Sequence, residues 1–345
     1  MVGLSKRSFP RLVPLRLLRR ARAILTIILL AHTTLPAYSA VTATPDRSPI
    51  PGDGTSVAGD TLRQFRYMAL PDSLSSVEER ARYAAEHFWD LYDFADTSLL
   101  DLPQVSAQGF ANYLNLLTHI DTTIAYPSMR RFVPKTTIHP RTRQYFLELA
   151  ETYLYSPLSS IRNEDLYRIY LYAYLSDPTL PEVLRLRPQT QLDKLLKNRV
   201  GSRASDFKYK TIDGRSSRLY KLKTPYILLY FNNPECNYCQ VITSKIKNNP
   251  TINRMIETGD LTVLSLYPDK QLDLWYKHAK DFPKQWIVAC DPVQAIDREQ
   301  LYDLQAIPSL YLLDQDKTVL LKDAAYEQIE QRLNEAEEAL SEYKQ

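Results

Sequence analysis

The sequence predicts an α+β chain: an all-α domain over residues 72–199, then an α/β domain over 200–345 with a mixed central sheet and helices on both faces. Three observations carry this. Apolar residues recur at spacings of three and four through the first half, the period of a helix with one buried face. After Gly201 to Ser205 the pattern changes to short apolar runs separated by turn residues. Between one such run, Tyr226 to Phe231, and an amphipathic stretch, Gln240 to Asn248, stands Cys236-Asn237-Tyr238-Cys239.

In the first half, Ser75 to Glu78 reads as a capping box. Behind it Val77, Ala81, Ala84, Phe88, Leu91 and Ala95 form one apolar helix face. Phe110, Leu114, Leu117 and Ile120 mark a second helix. Pro140 suits the first turn of a third, with Phe146, Leu149 and Tyr153 inward. Asn163 caps a fourth, with Leu166, Ile169, Tyr170 and Ala173 inward, and Pro178, Pro181 and Pro188 then punctuate shorter segments. No repeat of fixed period occurs. The many tyrosines are expected to pack their rings and keep their hydroxyls wet rather than line a ligand site.

In the second half, Phe207 to Ile212 alternates as a strand, Asp213-Gly214 signals a hairpin, and Leu219 to Leu222 returns. Tyr226 to Phe231 and Leu261 to Leu266 are continuous apolar runs, as buried central strands require. Pro250 starts a helix that ends at Gly259, and Gln271 to Lys280 is helical. Trp286 to Cys290 is a short apolar strand. Ser309 to Leu313 and Thr318 to Leu321 make a hairpin, and Tyr326 to Tyr343 a terminal helix.

The N-terminus reads as a secretory signal over residues 1–40. Met1 to Arg22 holds seven Lys or Arg and no acid, Ala23 to Ala31 is apolar, and Ala37, Ser39 and Ala40 supply a small-residue cleavage site. The apolar run is short of the roughly 20 residues a spanning helix needs, so a retained anchor is the weaker reading, and no stable membrane span is expected after cleavage. Residues 41–71 read as a flexible lead, with Thr, Pro, Gly, Asp and Ser crowding its first part. The expected location is periplasmic or otherwise extracytoplasmic.

Losing the seven positives of the signal takes the formal charge of +3 to about −4. No basic stripe with interleaved aromatics points to nucleic acid. The chain has 8 glycines, half of them before residue 60, and no Gly-rich phosphate loop, so no nucleotide cofactor is expected, nor any other.

All 3 cysteines lie in the second half, so a disulfide-stapled scaffold is excluded. A Cys-x-x-Cys that ends a strand and opens a helix makes a redox dithiol. Free N–H groups at the helix start favour thiolate at the first sulfur, Cys236, and Cys239, one turn along, can close the disulfide. A structural disulfide and half a zinc site are the competing readings. Zinc lacks a second ligand pair, since His87, His119, His139 and His278 are scattered. Cys290 reads as a small packed hydrophobe, with a mixed-disulfide role as its alternative. Glu235, the carboxylate nearest the pair, is the candidate for tuning Cys236, with exposed turn charge as its blander reading.

The order of these parts resembles the thioredoxin-like fold, and most of all its extracytoplasmic ResA and TlpA type. The segments that carry the resemblance are Ala204 to Phe207 with Asp213-Gly214, the strand with Cys236-x-x-Cys239, and Ala306-Ile-Pro-Ser309 before a strand. It covers roughly 204–342. It implies a cis Ile307–Pro308 bond facing the dithiol, with Ile307, Pro308 and Ser309 as the edge that binds substrate main chain. The whole chain also resembles a Bacteroidetes-type family in which a helical domain of unknown function precedes the thioredoxin-like one. Tyr153 to Pro157, Arg162 to Glu164, Leu195 to Arg199 and Asn233 to Cys236 carry that likeness. Three positions depart from the pattern. Glu235 replaces the usual Trp, Tyr230 the buried acid of thioredoxins, and Ile242 the acid one turn after the second cysteine.

The expected function is thiol–disulfide oxidoreductase, an enzyme that reduces or exchanges disulfides in envelope proteins and depends on an upstream thiol partner. The alternative is a non-catalytic envelope binding protein that uses the thioredoxin-like unit as a docking scaffold.

Overall fold

A computed structural model describes residues 64–344. The signal segment 1–40 and the lead up to residue 63 lie outside the described residues. The chain divides after Ser128 into two compact units. The division lies inside a helix, not at residue 200 where the composition changes.

The first unit holds helices α1 (Val77–His87) and α2 (Ser106–His119) and the start of α3 (Thr122–Thr136). Ser76, one residue later than expected, caps α1. Its Oγ accepts the Glu79 N–H at 3.1 Å, and the Glu79 carboxylate accepts the Ser76 N–H at 2.9 Å. The helix also stops earlier than its apolar period, at His87, and Leu91 is exposed. The described residues include 64–71, the end of the span read as a lead. Phe65 lies against Phe88 and Trp89, with ring centroids 5.2 Å away in each case. It fills the space a side chain on Gly109 would need, since a Cβ there would stand 2.3 Å from the ring. Two prolines, Pro127 and Pro134, hid α3 from the periodic reading.

The second unit begins with the rest of α3 and continues with α4 (Pro140–Ala150), α5 (Glu164–Leu175) and α6 (Glu182–Leu196). Pro140 opens α4, and Asn163 caps α5 by accepting the Leu166 N–H at 3.0 Å. A π-turn, Glu151–Tyr155, ends α4. Pro188 does not break the chain but lies inside α6, where only one helical N–H is lost. The buried tyrosines differ from expectation in their hydroxyls: Tyr167 donates to Gln191 at 2.8 Å rather than to water.

Seven strands follow in the same unit: β1 (Lys208–Thr211), β2 (Ser216–Arg218), β3 (Tyr226–Phe231), β4 (Leu261–Tyr267), β5 (Ile287–Cys290), β6 (Ser309–Asp314) and β7 (Val319–Leu321). Their order is β2-β1-β5-β4-β3-β6-β7. β3, β4 and β5 run parallel, and the remaining pairings are antiparallel. β2 is shorter than read, because Leu219–Lys221 turns into a 3-10 helix. The other helices are α7 (Asn237–Asn248), α8 (Pro250–Glu257), α9 (Leu272–His278), α10 (Ala295–Arg298) and α11 (Tyr326–Lys344).

Alternation along β3 explains why both faces are covered. Ile227, Leu229 and Phe231 enter one core with Phe207, Tyr302 and Tyr311. Leu228 and Tyr230 enter the other with Ile242 and Ile246 of α7 and Ile329 and Leu333 of α11. Each such aliphatic side chain contributes about 1.5–3 kcal/mol on burial. That burial fixes α7, and therefore its first residue, against the sheet. Among the described residues no helix is long and apolar enough to cross a membrane.

Candidate functional site

β3 ends in a turn that delivers Cys236 to the start of α7. Asn233 builds the turn: its Oδ1 accepts the Glu235 N–H at 2.9 Å, and its carbonyl accepts the Cys236 N–H at 3.1 Å. The Asn233 side-chain amide donates to Asp269 at 2.8 Å, tying the turn to the chain beyond β4. Cys236 is the N-cap of α7, and its Sγ accepts the Cys239 N–H at 3.2 Å. A cysteine thus fills the place usually taken by Ser, Asp or Asn, where the first-turn N–H groups lack helical partners.

The two sulfurs differ in exposure. Cys236 is half-buried, while Cys239 is 2% exposed. Burial pushes the Cys239 thiol up to about 12, and the backbone N–H of Asn233 opposes that rise. Cys239 borders a cleft of about 380 Å³ that His278 and Asp281 also line. His278 Nδ1 lies 3.2 Å from the Asp281 carboxylate. Tyr230, at the position where a buried acid was looked for, anchors the second cysteine's backbone. Its hydroxyl donates to the Cys239 carbonyl at 2.8 Å and lies 2.9 Å from Thr243 Oγ1. The apolar run that contains Tyr230 shows its burial, but not that hydroxyl contact.

The edge of β6 brings the remaining expected residues together. Ile307–Pro308 is cis. The Cys236 thiol lies 3.6 Å from the Ile307 carbonyl, within reach of a weak S–H donation. Ile307 and Pro308 are half-buried beside Cys236. Ser309 pairs with Phe231 across β6 and β3, and its side chain turns inward to donate to Asp323 at 2.7 Å. Glu235 is exposed on the turn. Cys290 sits apart from the pair on β5, fully buried, opposite Lys210 of β1, and burial pushes its thiol up to about 11. Among the described residues no group of three His, Cys, Asp or Glu side chains is placed to hold a metal ion.

A cysteine pair at a helix start, a cis-proline edge beside it and a parallel core with flanking antiparallel strands define the thioredoxin-like class. The chain is 39% identical to a thioredoxin-like protein from Bacteroides caccae, with a TM-score of 0.74 over 79% of this chain and 99% of that one. It therefore belongs to the thioredoxin-like proteins. Residues 41–198 match the family described as Domain of unknown function (DUF5106). The chain is also 45% identical to the C-terminal domain of an uncharacterized protein from Bacteroides fragilis, over 40% of this chain and 98% of that one, with a TM-score of 0.39. A conserved protein of unknown function from Bacteroides fragilis is 38% identical over 39% of this chain and 98% of that one, with a TM-score of 0.38. No functionally curated protein matches the chain.

Proposed function

We propose that the protein is an extracytoplasmic thiol–disulfide oxidoreductase whose working dithiol is Cys236 and Cys239. The observation that carries the reading is the contrast within the pair. A half-exposed sulfur caps a helix and accepts a backbone N–H at 3.2 Å, and a buried sulfur stands one turn behind it. The Cys236 thiolate attacks one sulfur of a substrate disulfide. A new S–S bond forms, the substrate S–S bond breaks, and the second substrate sulfur leaves as thiolate. Cys239 then attacks Cys236 Sγ, and its proton passes to the departing sulfur. The enzyme is left oxidised by two electrons, the substrate holds two thiols, and a thiol-bearing partner resets the pair.

The Ile307–Pro308 edge beside Cys236 is the surface on which substrate main chain would lie. Disulfide-bearing envelope proteins are the substrates that an N-terminal segment of signal character would bring within reach. Equilibration of the dithiol with a glutathione buffer, followed by turnover of a model disulfide, tests the activity. Cys236→Ser is expected to abolish turnover, and Cys239→Ala to stall at the mixed disulfide. A wild-type pair that cannot be reduced without unfolding would leave the non-catalytic docking reading in its place. For the location, N-terminal sequencing of the exported protein is expected to begin between Ala40 and Thr42, and a retained Arg22 would refute the cleavage.

A further inference from the structure

The chain leading into the Ile307–Pro308 edge is held by hydrogen bonds from the helical segment of the same unit. Lys197 Nζ donates to the Glu299 carbonyl at 3.2 Å and to the Gln300 carbonyl at 2.8 Å. Asn198 Nδ2 donates to the Leu301 carbonyl at 2.7 Å. The Tyr155 hydroxyl donates to Asp303 Oδ2 at 2.7 Å, and Gln305 Nε2 donates to the same oxygen at 2.9 Å. Beyond the edge, Arg162 lies 2.6 Å from Asp323, the carboxylate that holds Ser309. Both flanks of the edge are therefore set by residues of the helical segment.

These contacts border a cleft of about 980 Å³ between the π-turn after α4, the helix α6 and the loop at Asp303 and Gln305. Its volume is at the upper end for ligand pockets, and its lining mixes polar with apolar surface. Thr152, Ser156 and Thr190, with amide-bearing and charged residues of both signs, are among its lining. Asp303 lies at its floor with its side chain 4% exposed, and Lys194 Nζ stands 4.0 Å away. Glu151 is already paired with Arg187, so the cleft presents mixed polar and apolar surface with little net charge. Gln305 belongs to the lining and lies two residues before Ile307. At about 3.3–3.6 Å per extended residue, the cleft opens roughly 7 Å along the chain from the carbonyl that faces Cys236. That combination suits an extended polypeptide, with main-chain donors and acceptors to satisfy at each step.

We propose that this cleft is a second substrate subsite, which takes the polypeptide flanking the cystine attacked at Cys236. The proposal rests on the dithiol reading above. Substrate lying on the Ile307–Pro308 edge continues past Gln305 into the cleft, so the helical segment selects chains by their flanks while the dithiol handles any disulfide. Asp303 links the two sites, because its carboxylate fixes both a cleft wall, through Tyr155, and the loop, through Gln305.

The test compares two synthetic peptides with the same central cystine, one bare and one extended by about six polar residues on each side, a reach of roughly 20 Å. The full chain is expected to show a KM for the extended peptide about tenfold below that for the bare one at similar kcat. Thr190→Trp on α6 and Thr152→Trp on the π-turn, each checked by thermal melting, fill the cleft from different walls. Either is expected to raise the KM for the extended peptide about tenfold, and to leave kcat and the bare peptide unchanged. Equal KM values for the two peptides in the wild type would overturn the subsite without recourse to a variant. So would cleft-filling variants that fold and leave the extended peptide's KM unmoved. Turnover of neither peptide by the wild type would instead refute the dithiol reading, and the subsite with it.

Discussion

Alkylation of the reduced protein separates the two sulfurs of the pair. The Cys239 thiol is pushed up to about 12 by burial. Only the thiolate reacts, and each pH unit below the pKa removes a factor of ten, so at pH 7 about one Cys239 in 10⁵ is reactive. A free cysteine with its pKa near 8.5 is about 3% thiolate at the same pH. A high-pKa thiolate is the stronger nucleophile, which recovers part of that difference, so Cys239 is expected to react with iodoacetamide roughly 10²-fold more slowly than a free cysteine standard, before its 2% exposure slows it further. Peptide mapping of partly modified protein is expected to place the first adduct on Cys236. A first adduct on Cys239 would refute the assignment of nucleophile and resolving thiol. The same burial predicts a pH dependence of stability. The folded Cys239 thiol titrates above its unfolded counterpart, so its contribution is complete below about pH 8.5 and is lost as the pH climbs toward 12. Urea unfolding of the reduced protein is expected to weaken over that window by at most ~1.4 kcal/mol per pH unit for this group.

Other outcomes follow from single contacts. Tyr230→Phe removes a hydroxyl bonded to the Cys239 carbonyl at 2.8 Å. The loss is expected to be about 1 kcal/mol in urea unfolding, held down because the Thr243 hydroxyl can turn to the carbonyl four residues back. Ile246→Ala empties a fully buried site beneath α7 and is expected to cost about 2–5 kcal/mol; a cost near zero would mean that α7 is not fixed by this core. Cys290→Ala is expected to leave the dithiol's reduction potential and turnover unchanged, and a shifted potential would restore its mixed-disulfide reading. A fragment starting near Arg203 keeps both cores of the sheet and is expected to fold with a reactive dithiol. It loses the helical segment's bonds to residues 299–303, each worth about 0.5–1.5 kcal/mol net, so amide exchange there is expected to accelerate.

What the sequence disclosed follows from how local each signal is. β3, α7 and the dithiol are written in consecutive residues. A continuous apolar run, a turn rich in Asn and Pro, and two cysteines at helical spacing leave few alternatives. The capping box was visible but displaced by one, because Ser75 and Ser76 are adjacent and only the fold chooses between their registers. α3 was illegible because Pro127 and Pro134 oppose a helix locally, and tertiary burial of Met129, Phe132 and Val133 overrides them. Leu219 to Leu222 kept a strand's composition but turned into a 3-10 helix. The contacts of Tyr155 with Asp303 and of Arg162 with Asp323 join residues 148 and 161 positions apart, and no sequence period reports those.

Two boundaries in the chain mean different things. The family match ends at residue 198, where composition and periodicity also change. The compact units divide at Ser128, which leaves α4, α5 and α6 in the same unit as the sheet. A sequence boundary marks a segment with its own pattern of residues, whereas a compactness boundary follows where long-range contacts accumulate. Here the two disagree across 129–198, the stretch from which Tyr155, Arg162, Lys197 and Asn198 bond to residues beyond 298. Those bonds do not scatter over the sheet. Apart from the Ser205 N–H that Asn198 Oδ1 accepts, they fall on residues 299–303 and on Asp323, the stretches that approach and brace the Ile307–Pro308 edge. A helical segment that only tethered the sheet would have no reason to place most of these bonds there, since any exposed face of the sheet's helices offers partners. That clustering ties the geometry of the Ile307–Pro308 edge to the state of the helical segment, so on the proposed dithiol reading whatever binds among α4 and α6 would bear on the chemistry at Cys236.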